Sequence, residues 1–394
     1  MTMASNNVVD LWSRVGGDGK FRKVIPERIR EARRAVGINQ REFADILGVT
    51  PQSVSQWEQG AKSPDGANLF QIANILKQPV SYFTTDRPTV FGGSSVAFYR
   101  AFGAKTKKRN EQCDSWKEWL VQATAFLCNA VKLPDPIVLD WGPSSGNGAY
   151  RSEEIEAAAR ECRRAWGLGD GPIANVVALM ESKGIIFARS HFGAEDVNAF
   201  SYWNGARPFV FLSAESGSCA RQRFDAAHEL GHLVLHRGVS TDELEDARTL
   251  KRIEAEANRF AGAFLLPEET YPHEVFTTRL EGFVELKRRW KVSVQAQIYR
   301  CHDLSIFTDD QVLNLRKSIS KNRWLKKEPL DDLMQLENPT LLKKAVELVT
   351  SSGAMSAEDI LNNIRLSKEC IASIYGIPTS IFGNHDEGEA ATLK

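Results

Sequence analysis

The 394 residues exceed one typical domain and suggest roughly two to four, while 42% hydrophobic and 25% charged residues match an ordinary soluble globular protein. No apolar run approaches the roughly 20 residues of a membrane span, and the opening MTMASNNVVDLWSRVGGDGK lacks a secretory pattern, so a cytoplasmic protein with no membrane partner is expected. Net charge is zero, which alone argues against a nucleic-acid partner, and the six scattered cysteines, without a C-x-x-C pair, suggest neither a disulfide framework nor a thiolate zinc site.

Charge is not even along the chain: between Lys20 and Lys62 stand nine Lys or Arg against five Asp or Glu. Over the same region short amphipathic helices are expected at 26–36, 40–47, 51–59 and 68–76, separated by glycine-containing turns. The stretch INQREFADILGVTPQSVSQWEQG has the layout of two helices meeting in a tight turn. Gln40 opens the first, Ala44 permits close contact, Gly48 sits in the turn, and Val54 and Trp57 pack the second inward. The second helix then presents Pro51, Gln52, Ser53, Ser55 and Gln56, whose amides suit adenine edges in the major groove, with Gln40 and Ser53 reaching phosphates. This segment resembles the XRE/Cro-CI helix-turn-helix family over residues 25–83. The resemblance implies binding to double-stranded operator DNA, and a single module per chain calls for a homodimer or adjacent sites.

Residues 84–149 read as a linker and connecting helix. Pro88, Gly92, Gly93, Ser94, Ser95 and the KTKKR stretch at 105–109 form an exposed connection, and a helix over 113–131 is expected to pack between domains or to dimerise. Self-cleavage within 87–109 is one consequence considered for so open a segment. A helix beginning under a capping Ser152 follows, then a helix over 173–183, the strand GIIFA, and the runs AFSYW and RPFVFLS around Gly205, together a small sheet.

Chemistry concentrates in AHELGHLVLH. His228 and His232 lie one helical turn apart, so both imidazoles face one way and can share a zinc ion, while Glu229 stands beside them as general base. A third ligand is expected on the next helix, where Glu254 and Glu256 compete from faces about 200° apart. Glu254 is favoured because it shares its face with Ala257, Asn258 and Ala261, small residues that let two helices approach, with Asn258 placed to hydrogen-bond a ligating histidine. His236 lies too far along the axis to co-ligate and is read as a polar helix-end residue lining the cleft; His191, His273, His302 and His385 lack ligand spacing.

The run RQRFDAAHELGHLVLH with EAEANRFAGAFLLP resembles the ImmA/IrrE metallopeptidases, over residues 150–303. The resemblance implies a gluzincin-like domain with Zn2+ held by His228, His232 and Glu254, Glu229 as catalytic base, and an edge strand at 209–212 that holds an extended substrate by strand addition. It further implies cleavage of a repressor protein. The expected fold is α+β and mainly α: an all-helical N-terminal module, a small-sheet metallopeptidase domain, and a helical C-terminal region at 304–394 with no readable chemistry. The expected function is a DNA-binding regulatory zinc protease; the alternative is a transcriptional regulator or antitoxin whose metallopeptidase-like domain serves as sensor or scaffold.

Overall fold

A computed structural model of the chain describes residues 23–86, 97, 104–144, 148–190, 198–214 and 217–383. It divides into an N-terminal unit, running to residue 88 and taking in 365–367, and a second unit made of the remainder. The expected Gly- and Ser-rich connection at 88–95, His191 and His385 lie outside the described residues. The fold is mainly α with one small sheet, as the sequence led us to expect, and no described helix is long and apolar enough to cross a membrane.

In the N-terminal unit, local polar chemistry sets each helix end. Helix α1 (Pro26–Ala35) starts on a proline, whose missing N–H costs nothing in a first turn. Helix α2 (Gln40–Leu47) is capped by Asn39, which accepts from Glu42 N at 2.9 Å while the Glu42 carboxylate accepts from Asn39 N at 2.7 Å. Gly48, at φ +68°, ends it in the left-handed conformation that the turn requires. Helix α3 (Pro51–Glu58) begins under Thr50 and helix α4 (Gly66–Leu76) under Asp65. Ile29, Phe43, Ala44, Val54, Trp57 and Ile72 are buried between them, and a buried Arg33–Glu58 pair ties α1 to α3 at 2.5 and 3.0 Å.

The second unit is built around strands β1 (Ile186–Ser190), β2 (Ala199–Asn204) and β3 (Arg207–Ser213), in the order β1-β3-β2. Strand β3 runs parallel to β1 and antiparallel to β2, so it is the central strand. This corrects the expectation that residues 209–212 form a substrate-binding edge: both their neighbours are already paired. The outer strands are β1 and β2, of which β2 is buried throughout and β1 at all but Arg189. RPFVFLS is nearly continuously apolar, the pattern of a strand covered on both faces.

On one face Phe200, Tyr202, Phe209 and Phe211 stack in cross-strand pairs, with ring centroids 5.2 Å apart in both Phe200–Phe211 and Tyr202–Phe209. Helix α5 (Ala104–Cys128) covers them: Trp116 meets Phe211 edge-on, and the Tyr202 hydroxyl donates to Lys117 O at 3.2 Å. The helix thus begins earlier than expected, takes in 105–109, and packs on the sheet. Lysine and arginine are good helix formers, so KTKKR belongs to the helix rather than to an exposed connection.

The opposite face carries the helices of the candidate site. Helix α6 (Ser152–Ala165) starts on Ser152 itself, with Glu154 accepting from Arg151 N at 2.7 Å, so Ser152 is inside the helix rather than its cap. Helix α7 (Val176–Ser182) precedes β1. Helix α8 (Cys219–Leu235) lies along β2, where Ser201 Oγ donates to Glu229 O and Trp203 Nε1 to Leu233 O. The short α9 (Thr241–Glu245) leads to α10 (Ala247–Leu265), which packs between α6 and α8. Helices α11 (Leu280–Trp290), α12 (Val294–Asp303) and α13 (Asp309–Lys321) extend this layer, and α14 (Leu341–Ser351), α15 (Ala357–Ile364) and α16 (Lys368–Tyr375) join α5 on the other side of the sheet.

The segment after residue 303 is stitched into this unit by carboxylates at helix N-termini, where unpaired N–H groups point outward. Glu337 accepts from Val176 N at 2.7 Å and pairs with the fully buried Arg223 of α8. Glu328 accepts from Val294 N at 2.7 Å and, with Asp331, neutralises the buried Lys287. Asp331 also accepts from Ser218 Oγ, the residue that caps α8.

Candidate metal centre

Helix α8 carries His228 and His232 on the face turned toward α10, and both are buried. Gly231 lies at the crossing: a Cβ added there would meet Ala257 Cα and O and Phe260 Cβ, each at 3.2 Å. The absent side chain on α8 and the small Ala257 on α10 bring the helices close enough for Glu254 to reach the histidines. Nε2 of His228 stands 2.9 Å from Nε2 of His232, and Glu254 places Oε2 3.5 Å from the first and Oε1 3.3 Å from the second.

These separations fit a metal. Around a tetrahedral zinc with bonds of about 2.0–2.1 Å, donor atoms lie about 3.3 Å apart. Two imidazole nitrogens and one carboxylate oxygen form a donor set that zinc accepts, and among the described residues these three are the group of His, Cys, Asp or Glu that converges within 4.8 Å. Burial works to raise the Glu254 carboxyl pKa, but the facing imidazoles of His228 and His232 outweigh it and hold the group below the usual carboxylate range. Glu229, the residue after His228, is also buried.

Each histidine is fixed from behind. His228 Nδ1 lies 3.0 Å from Asn258 Oδ1, the contact that helical phase pointed to. His232 Nδ1 lies 3.0 Å from His236 Nδ1, and His236 Nε2 lies 2.9 Å from Glu256 Oε2. Glu256 in turn accepts from Tyr150 N at 3.0 Å and from Arg252 at 3.1 Å. Burial lowers the His236 pKa to about 4, against the opposing pull of Glu256. His236 does close helix α8, as expected, but it is buried behind the candidate metal site rather than lining the cleft. Its recurrence at the third turn of one face was the available signal; its partner on α10 was not visible from spacing.

Beside the centre opens a cleft of about 790 Å3, with Tyr150, Asp225, Asn258, Tyr299 and Trp324 among its walls. Trp324, Leu325 and Lys326 come from the C-terminal segment that sequence reasoning left without a role.

In the N-terminal unit, Pro51 and Gln52 of α3 are exposed, Ser53, Ser55 and Gln56 are half-buried, and Val54 and Trp57 point into the core. Among the described residues the side-chain amides of Gln52 and Gln56 have no partner, whereas Ser53 and Thr50 hydroxyls bond each other at 2.9 Å and Ser55 accepts from Gln59. Gln40 donates to Glu58 at 2.8 Å, joining the start of α2 to the end of α3.

Two family models match this chain: one described as helix-turn-helix over residues 29–83, and one described as an IrrE N-terminal-like peptidase domain over residues 180–302. Among curated relatives, HTH-type transcriptional regulators of Sinorhizobium medicae and Rhizobium meliloti are each 34% identical over 116 residues, which is 29% of this chain and 77% of the relative. The HTH-type transcriptional regulator DicA of Escherichia coli is 43% identical over 53 residues, 14% of this chain and 39% of its own. The chain thus belongs to the HTH-type transcriptional regulators, and it joins their helix-turn-helix module to a peptidase-family domain that brings His228, His232 and Glu254 together.

Proposed function

We propose that this protein is a DNA-bound regulator that hydrolyses a peptide bond in a second regulatory protein, a repressor by the family resemblance, and so changes gene expression. The observation that carries the reading is the convergence of His228, His232 and Glu254 on one point with Glu229 on the same helix. A zinc ion bound by these three would supply Lewis acidity toward a scissile carbonyl and toward water. Glu229 is the general base: its carboxylate takes a proton from the attacking water and returns it to the leaving amine nitrogen. Asn258 orients His228, and the cleft holds the polypeptide and limits its access to bulk water.

The helix-turn-helix module would deliver the enzyme to an operator. Gln52 and Gln56 are the amides we assign to base edges, Pro51, Ser53 and Ser55 sit at the groove surface, and Gln40 braces α2 against α3 as well as facing the backbone. With one module per chain, a homodimer on two half-sites is the arrangement we expect. Because the relatives are transcriptional regulators by name, the competing reading is a regulator whose peptidase-type domain only senses or scaffolds.

The two separate experimentally. Purified protein loaded with zinc is mixed with repressors encoded beside its gene, and fragments are sought that disappear with a chelator and in Glu229→Gln. Promoter regulation that persists unchanged in Glu229→Gln defeats the protease reading. The same incubation without added protein tests self-cleavage.

A further inference from the structure

From the chain of contacts behind His232 we infer that His236 and Glu256 are positioning residues that fix how His232 presents itself to a metal. The inference rests on the zinc centre proposed above. If His232 offers its Nε2 lone pair to the ion, its proton is on Nδ1, and that N–H needs a buried acceptor. The neighbouring atom is Nδ1 of His236, 3.0 Å away, which accepts only if the His236 proton is on Nε2. The Glu256 carboxylate, 2.9 Å from that Nε2, selects this tautomer. Proton order along the chain is then unique: His232 Nδ1–H donates to His236, and His236 Nε2–H donates to Glu256.

The far end is anchored as well. Tyr150 N and the Arg252 guanidinium both donate to Glu256, while His232, His236 and Glu256 are 1%, 2% and 5% exposed, so water does not replace any member. The two glutamates of α10 thereby divide the work: Glu254 meets both histidine Nε2 atoms, and Glu256 acts through His236. The centre is asymmetric, since His228 meets a neutral amide and His232 a histidine–carboxylate relay.

The test uses full-length protein and zinc affinity measured by competition with a chromophoric chelator. His236→Leu leaves the His232 Nδ1–H without its acceptor and should weaken zinc about 10- to 100-fold. His236→Asn can accept through its side-chain oxygen as Asn258 does for His228, and should bind within about 3-fold of the parent. Glu256→Gln, which keeps the shape and removes the charge, should fall between them, and it serves as the reporter if His236→Leu does not fold. Unchanged affinity in His236→Leu or, where that variant does not fold, in Glu256→Gln overturns the inference, as does a His236→Asn loss equal to that of His236→Leu. Failure of the underlying centre looks different: the parent protein then binds no zinc, or His232→Ala binds it as well as the parent.

Discussion

The Nδ1 atoms of His228, His232 and His236 and the Nε2 of His236 all have hydrogen-bond partners, which limits the desolvation loss of burying three imidazoles on one helix, and the two remaining Nε2 atoms face Glu254. Glu254→Gln removes the charge facing two of them and is expected to abolish tight zinc binding, whereas Glu229→Gln should leave zinc bound and stop hydrolysis; metal analysis after dialysis distinguishes the two. The cysteines behave differently from the histidines. Burial pushes the Cys113 and Cys162 thiols up to about 12 and Cys301 to about 11, so they stay protonated at pH 8. Mass spectrometry after brief iodoacetamide treatment of the native protein should find Cys128 and Cys370, which are partly exposed, alkylated ahead of these three.

At the level of elements, the crossing of α8 and α10 governs the site. Gly231→Ala would place a methyl 3.2 Å from the Ala257 backbone, which cannot rotate away, so the helices must separate by a few tenths of an ångström. Overpacking of this kind costs about 1–3 kcal/mol; urea unfolding should show that loss, and zinc affinity should fall with it because Glu254 moves with α10. Part of this level is legible in the sequence. Gly48 marks the turn after α2, and the shared face of His228, His232, Glu254 and Asn258 follows from helical phase, whereas the caps Asn39, Thr50 and Asp65 emerge only from their hydrogen bonds. Strand order does not follow, because alternation and apolar runs identify a strand without naming its neighbours, so nothing in the sequence tests the edge position that the family resemblance implies for β3. The His236–Glu256 contact was hidden for the same reason: it joins two helices whose separation only the packed structure defines.

Across the second unit, the C-terminal segment completes the peptidase-type domain. Arg223 on α8 and Lys287 on α11 are fully buried cations whose carboxylate partners, Glu337, Glu328 and Asp331, all lie beyond residue 303. Removing one partner of such a pair costs about 3–5 kcal/mol because the other charge stays buried. A chain ending at residue 303 loses all three carboxylates, and its C-terminal part should be digested rapidly by trypsin under conditions in which the full chain persists. Glu337→Ala should lower the unfolding midpoint without changing the metal ligands. The side chains that hold the ion decide what this domain can do, and zinc content of the parent, Glu229→Gln, Glu254→Gln and Glu256→Gln proteins at saturating metal identifies them. We expect one zinc per chain in the parent, in Glu229→Gln and in Glu256→Gln, and little in Glu254→Gln; full occupancy in Glu254→Gln with loss in Glu256→Gln would contradict the centre described here.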